Sequence, residues 1–279
     1  MTAVRTLEVP GYQVVEFIGS GARSTIWQVR DRAGRICALK RVVRRQPSDL
    51  RFLEQAVNEY EVASCCDHPI VRKVYRLERI RHWLTVREVH LFMEWCEGQT
   101  VQDNRPEDLR EVVRIYQAVA EGLAHINARG FVHADTKPNN ILISPEGEVK
   151  LIDMGQSCPL GTVKERIQGT PDFIAPEQVH RGPLNARTDA YNFGASLYWA
   201  LTGRPIPTVL PRERKSNLRG DYLVVPPEKL NGSVPPSLSK LVAECVELTP
   251  SRRPDSMAEV ASRLGLIAHS LELRKANGA

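Results

Sequence analysis

His133-Ala134-Asp135-Thr136-Lys137-Pro138-Asn139-Asn140, followed after a short apolar stretch by Leu151-Ile152-Asp153-Met154-Gly155, concentrates more chemistry than any other part of this chain. The apolar residues on either side, 130–132 and 141–143, read as short strands. The polar residues between them then sit on a loop held by a packed scaffold. Asp135 and Asn140 leave that one loop, and Asp153 closes a hairpin beside them. A base, an amide oxygen and a carboxylate thus fall together. Phosphoryl transfer with Mg²⁺ calls for such a set: an Asp to orient an attacking hydroxyl and accept its proton, with Asn and Asp oxygens for the hard cation. Taken alone, either run also fits a capped turn or a surface hairpin residue.

Working outward, 279 residues with 42% hydrophobic content suffice for a sizeable core in one large or two medium domains. The formal net charge is +5, and the arginines are dispersed without aromatic interleaving, which argues against nucleic-acid binding. The six cysteines, at 37, 65, 66, 96, 158 and 245, have neither zinc spacing nor disulfide-scaffold density, so reduced thiols in a cytoplasm are expected. Residues 1–10 lack an apolar signal core, and no apolar run is long enough to span a bilayer. Residues 204–236, rich in Pro and Arg, read as a long loop, and 268–279 as a polar C-terminal tail, frayed from Leu271 onward.

Residues 12–18 alternate in strand fashion, then Gly19-Ser20-Gly21-Ala22-Arg23-Ser24 turns into a second strand from Thr25. The β-branched Thr25 and Ile26 continue a strand and do not open a helix. An ordinary hairpin turn fits this glycine pair equally well. Cys37-Ala38-Leu39-Lys40 ends the next apolar strand, 52–65 has helical spacing and carries Glu59, and 89–98 reads as a strand ending near Met93 and a turn. From Glu107 the apolar residues Leu109, Val112, Val113, Tyr116, Val119, Ala120, Leu123 and Ile126 form an amphipathic helix stopped by Gly130. Beyond the opening run come Gly169-Thr170-Pro171-Asp172-Phe173-Ile174-Ala175-Pro176-Glu177, an apolar helix introduced by Thr188-Asp189, and Arg252-Arg253-Pro254.

In this order the motifs resemble the eukaryotic-type (Hanks-type) serine/threonine protein kinase family, and bacterial members more than animal ones, over about residues 12–267. The resemblance implies an α+β, bilobal fold: a small antiparallel β-sheet lobe with one helix (12–93), a hinge (94–98) and a larger, mainly helical lobe (99–267). It implies ATP as phosphoryl donor, Mg²⁺ or alternatively Mn²⁺, and protein substrates phosphorylated on Ser or Thr. Asp135 becomes the catalytic base, Lys137 the contact to the transferred γ-phosphoryl group, and Asn140 and Asp153 the metal ligands. Lys40 pairs with the α- and β-phosphates and with Glu59, chosen over Glu61 because it lies ten residues before Pro69, the family interval. Gly19, Ser20, Gly21, Ser24, Ile26, Ala38, Glu94 and Cys96 complete the nucleotide contacts, the last two through hinge backbone. Asp189 braces the catalytic-loop backbone, and Arg253 pairs with Glu177. Lys137 and Thr170 favour Ser/Thr over Tyr specificity.

Five positions depart from the family pattern. Ser24 replaces a third glycine, and Arg23 the aromatic at the loop tip. Ala134 stands where the family usually has Arg; Ala cannot pair with an activating phosphate, so activity independent of phosphate on Ser157, Thr162 or Thr170 is expected, with Lys164 and Arg166 as substitute cations. Met154 replaces Phe, and Ala63 is small, which predicts a looser helix contact and a less favoured Lys40–Glu59 arrangement. The competing reading is a pseudokinase that binds nucleotide or nothing and presents 204–236 to partners. A small-molecule kinase is disfavoured by the 169–177 segment, and a metal hydrolase by the lack of a second His at ligand spacing.

Overall fold

Period-two alternation near the N-terminus builds one five-stranded antiparallel sheet. The computed structural model describes residues 7–206 and 224–276. They cluster into two units, Met1–Asp67 with Arg72–Glu97, and His68–Val71 with Gly98–Ala279. In the first unit β1 (Tyr12–Ser20), β2 (Ser24–Asp31), β3 (Ile36–Val43), α1 (Leu50–Ser64), β4 (Val74–His82) and β5 (Thr85–Glu94) follow one another. The strands lie in the order β1-β2-β3-β5-β4. Opposed pairs Ile26↔Lys40, Lys40↔Leu91 and Ala38↔Met93 put Ile26, Ala38, Lys40, Leu91 and Met93 on one face. The other face buries Trp27, Val29, Cys37, Leu39 and Phe92 with Val9. Leu39 and Leu91 are wholly buried, each contributing about 1.5–3 kcal/mol by removal from water.

The second unit is mainly helical. Its strands are short: β6 (Gln99–Thr100), β7 (Phe131–Val132), β8 (Ile141–Ile143), β9 (Val149–Leu151) and β10 (Cys158–Pro159). Its helices are α2 (Leu109–Ala128), α3 (Pro176–His180), α4 (Ala186–Thr202), α5 (Pro227–Leu230), α6 (Pro236–Cys245) and α7 (Met257–Ala276). Asp108 caps α2 by accepting from Arg110 N. The face of α2 predicted from its spacing is buried, including Val112, Val113, Tyr116, Val119, Leu123 and Ile126. Tyr116 Oη lies 2.8 Å from Ser196 Oγ of α4 and donates to Ser196 O at 2.9 Å. Gly194 admits α6 closely, since a Cβ there would stand 2.5 Å from Cys245 Cβ. Residues 68–71 belong here because Leu151 N donates to Ile70 O at 2.6 Å and Val71 bridges Leu151.

The α+β class is as expected, with one α-helix beside the first sheet and helices dominating the second unit. Two sequence expectations are corrected. Residues 271–276 are not frayed: α7 continues to Ala276, with Leu264 and Ile267 buried before them, Leu271 partly so, and Arg274 and Lys275 at its C-terminal, electronegative end. The loop expected over 204–236 contains α5 and the start of α6, while its residues 207–223 lie outside the described residues. Among the described residues no helix is long and apolar enough to cross a membrane.

Candidate active site

In the first unit the glycine turn is a hairpin tip between β1 and β2, as strand, turn, strand predicts. Gly21 N donates to Ser24 O at 2.8 Å, and a Cβ on Gly21 would stand 2.9 Å from Ser24 Oγ, so the turn is closed around a missing side chain. Gly19 and Ser20 end β1, and Ser24 opens β2. Arg23 at the tip makes a 2.9 Å ion pair with buried Asp49, which also accepts from Arg45 N and Gln46 N just before α1. The Arg23 guanidinium, with those two peptide N–H groups, holds the Asp49 carboxyl down to about 2, against the cost of burial. This latch escaped the sequence reading.

Lys40 Nζ donates to Glu59 Oε2 at 2.6 Å, and Glu59, 2% exposed, also faces Arg72 at 3.4 Å. The rival Glu61 is exposed. The closed pair contradicts the expectation that small Ala63 leaves this arrangement weakly favoured; Ala63 is itself buried, so α1 sits against its surroundings without a larger side chain there. Ile26 and Ala38 share the face of Lys40, and β5 ends at Glu94, whose carbonyl receives a long 3.8 Å contact from the Cys96 thiol.

In the second unit the opening run forms a loop from β7 to β8, ending in a single 3₁₀ turn, Pro138–Asn140. Asp135 is buried. Its Oδ2 accepts from Lys137 Nζ at 2.8 Å and its Oδ1 from Thr170 Oγ1 at 3.0 Å, while Lys137 Nζ also donates to Thr170 Oγ1 at 2.7 Å. Carboxylate, cation and an aliphatic hydroxyl therefore close a triangle. Asn140 Nδ2 donates to Asp135 O at 2.9 Å, which commits the amide's donor end and leaves its oxygen as the end able to ligate a cation. Ile152 N donates to Asn140 O at 2.8 Å, tying the Asp153 segment to the catalytic loop, and Asp153 Oδ1 accepts from Gly155 N at 3.2 Å. Asp153 and Ala134 both take left-handed backbone, φ +68° and +61°, in a region costly for residues with a Cβ.

What holds Ala134 there is a set of buried polar contacts. Asp189 Oδ1 accepts from Ala134 N at 2.9 Å, and Oδ2 from His133 N at 3.0 Å and Asn127 Nδ2 at 2.7 Å. Burial pushes the Asp189 carboxyl up; His133 and the three N–H groups pull it back. Gln178 Nε2 donates to Ala134 O at 2.8 Å, and Gln178 Oε1 accepts from Ala175 N and from Asn192 Nδ2. These bonds fasten the 169–177 segment to the catalytic loop. Asp189 was anticipated; Asn127, Gln178 and Asn192 were not, although Asn192 in an otherwise apolar helix was a visible signal. The Ala134 side chain packs with Val132, Cys158 and Leu184. Ser157 is 2% exposed, Lys164 Nζ donates to Gln156 O at 2.6 Å with burial pushing its ammonium down, and Arg166 is exposed. Arg253 meets Glu177 through two bonds, at 2.8 and 3.0 Å.

Comparison with known proteins identifies the family. A family described as the protein kinase domain matches residues 12–263. Serine/threonine-protein kinase PknL of Mycobacterium tuberculosis is 31% identical over 271 residues, covering 94% of this chain and 67% of PknL. Serine/threonine-protein kinase PknB of Mycolicibacterium smegmatis is 29% identical, covering 91% of this chain and 42% of PknB. Serine/threonine-protein kinase PrkC of Bacillus subtilis is 27% identical, covering 89% and 39%. The chain thus spans about two fifths of PknB and PrkC and two thirds of PknL. It belongs to the protein kinase family and is similar to its bacterial serine/threonine kinases.

Proposed function

We propose that this chain transfers the γ-phosphoryl group of ATP to serine and threonine hydroxyls of proteins, with Asp135 as base and Mg²⁺, or alternatively Mn²⁺, held by Asn140 and Asp153. The observation that carries this reading is the Asp135–Lys137–Thr170 triangle. Asp135 orients the substrate hydroxyl and takes its proton as the oxygen attacks the γ-phosphorus and ADP leaves. Lys137 neutralises charge growing on the transferred group, and Lys40, held by Glu59, meets the α- and β-phosphates. Gly19, Ser20, Gly21 and Ser24 cover the phosphates, Ile26 and Ala38 face the base, and Glu94 and Cys96 bind it through their backbone.

Asn140 and Asp153 supply the hard oxygen donors Mg²⁺ prefers. Among the described residues there is no cluster of three or more His, Cys, Asp or Glu that would form an all-protein cage. That fits a cation completed by phosphate oxygens and water. The bound metal supplies charge neutralisation between the phosphates. We further propose action in the cytoplasm without an activating phosphate read at position 134, since Ala134 sits in an apolar cluster and Ser157 is buried; dephosphorylated protein is expected to retain full turnover. Incubation with radiolabelled ATP and a generic basic protein tests the main reading: label transfer is expected from wild type and absent from Asp135→Ala. No transfer from either would favour a nucleotide-binding scaffold.

A further inference from the structure

The hairpin between β4 and β5 ends in apolar side chains exposed to water and ringed by arginines. His82↔Thr85 is its last pair, so Trp83 and Leu84 form a two-residue turn, 88% and 96% exposed. Trp83 has φ +58°, a conformation for which hairpin turns use Gly, Asn or Asp. An aromatic residue there costs stability, and with nothing packed on it the fold gains nothing in return. Arg79, Arg81, His82 and Arg87 are exposed around this tip, and Arg44 N donates to Arg87 O at 2.8 Å, adding a fifth basic residue beside them. The neighbouring carboxylates are already paired, Glu78 with Arg76 at 2.8 Å and Glu88 with Arg41 at 2.7 Å. Among the described residues Arg79, Arg81 and Arg87 have no ion-pair partner.

We propose that this hairpin docks the first unit onto an anionic lipid surface. Trp83 lodges at headgroup level, where an apolar ring with one N–H is most stable, Leu84 enters the acyl boundary, and the arginines meet lipid phosphates. An acidic protein would need a pocket shaped to the Trp83-Leu84 tip and a nucleic acid an unpaired base to stack on it, whereas a lipid surface takes up an apolar tip with a basic surround as it stands.

Sedimentation of the full chain with vesicles tests this, using phosphatidylcholine alone and phosphatidylcholine containing phosphatidylglycerol. Binding to the anionic vesicles only, weakening with salt, is expected. Arg79→Gln, Arg81→Gln and Arg87→Gln should each reduce it about fivefold. Trp83→Gly is the diagnostic variant: relief of the left-handed backbone should raise the melting temperature while vesicle binding falls at least tenfold, a pairing that a purely structural role for Trp83 would not produce. Brominated lipid should quench tryptophan fluorescence in wild type more than in that variant. Failure to sediment with anionic vesicles overturns the proposal. So does undiminished binding by Trp83→Gly, and binding to soluble polyglutamate or heparin as tight as to vesicles would assign the arginines to an acidic macromolecule instead.

Discussion

Replacing Asp189 by Asn tests how the catalytic loop is held. The carboxylate accepts from His133 N, Ala134 N and Asn127 Nδ2 at 3.0, 2.9 and 2.7 Å, and the residue is wholly buried. An amide oriented to keep the two bonds at one oxygen must turn its NH₂ toward Ala134 N–H. One charge-assisted bond is then lost, about 1.5–3 kcal/mol, and a buried donor is left without an acceptor, about 1–3 kcal/mol. Removing a buried charge offsets part of this, since burial already pushes the Asp189 carboxyl up. The expected net loss is about 2–4 kcal/mol by urea unfolding at unchanged m-value. Ala134, at φ +61°, then keeps its clamp from Gln178 on the carbonyl side but loses the one on its N–H. Relaxation of that backbone moves Asp135, and a shift of about 1 Å in a reacting group lowers turnover about a hundredfold. Adding Ala134→Gly, which removes the Cβ strain of about 1–2 kcal/mol, should recover part of the stability. A stability loss below about 1 kcal/mol with undiminished kcat would mean that Asp189 does not hold the loop.

Three further outcomes are expected. Glu177→Ala leaves Arg253, whose side chain is 0% exposed, without its carboxylate and should cost about 3–5 kcal/mol in denaturant unfolding, whereas an effect under about 1 kcal/mol would mean that the carbonyls of Arg187 and Glu247 suffice. Thr170→Val keeps the shape but removes the hydroxyl between Lys137 and Asp135, so kcat should fall at least tenfold while Thr170→Ser stays near wild type; equal rates for both variants would count against the triangle. Burial lowers the pKa of His68, His90 and His133 below the ordinary 6.5, so as pH falls below about 6.5 the unfolded chain takes up protons more readily than the fold. The stability they support is complete above about pH 6.5 and is lost as pH falls through their folded pKa values, at up to about 1.4 kcal/mol per pH unit for each. Melting followed from about pH 7 to 5 should show this slope, and His133→Phe should flatten it in part.

How much of this was legible in sequence depends on whether a signal was local. The period of apolar residues located α2, the choice of Glu59 over Glu61 followed from motif spacing, and the Glu177–Arg253 pair came from motifs in known order. The end of α7 was misread because polar residues on a helix turned to water look like a frayed tail, whereas Leu264 and Ile267 on its other face anchor the helix. The Arg23–Asp49 latch was missed because most arginines and aspartates at a surface have no fixed partner, and nothing in the intervening residues announces one.

Periodicity and motif spacing are properties of neighbours along the chain, so the sequence alone carried the α+β class and the order of the candidate chemical residues. Only tertiary structure decided that Ala134 takes left-handed backbone, held by Asp189 from 55 positions away and by Gln178 from 44. A buried polar group must find an acceptor or donor wherever the fold brings one, and that choice is made by closeness in space after the apolar faces have packed.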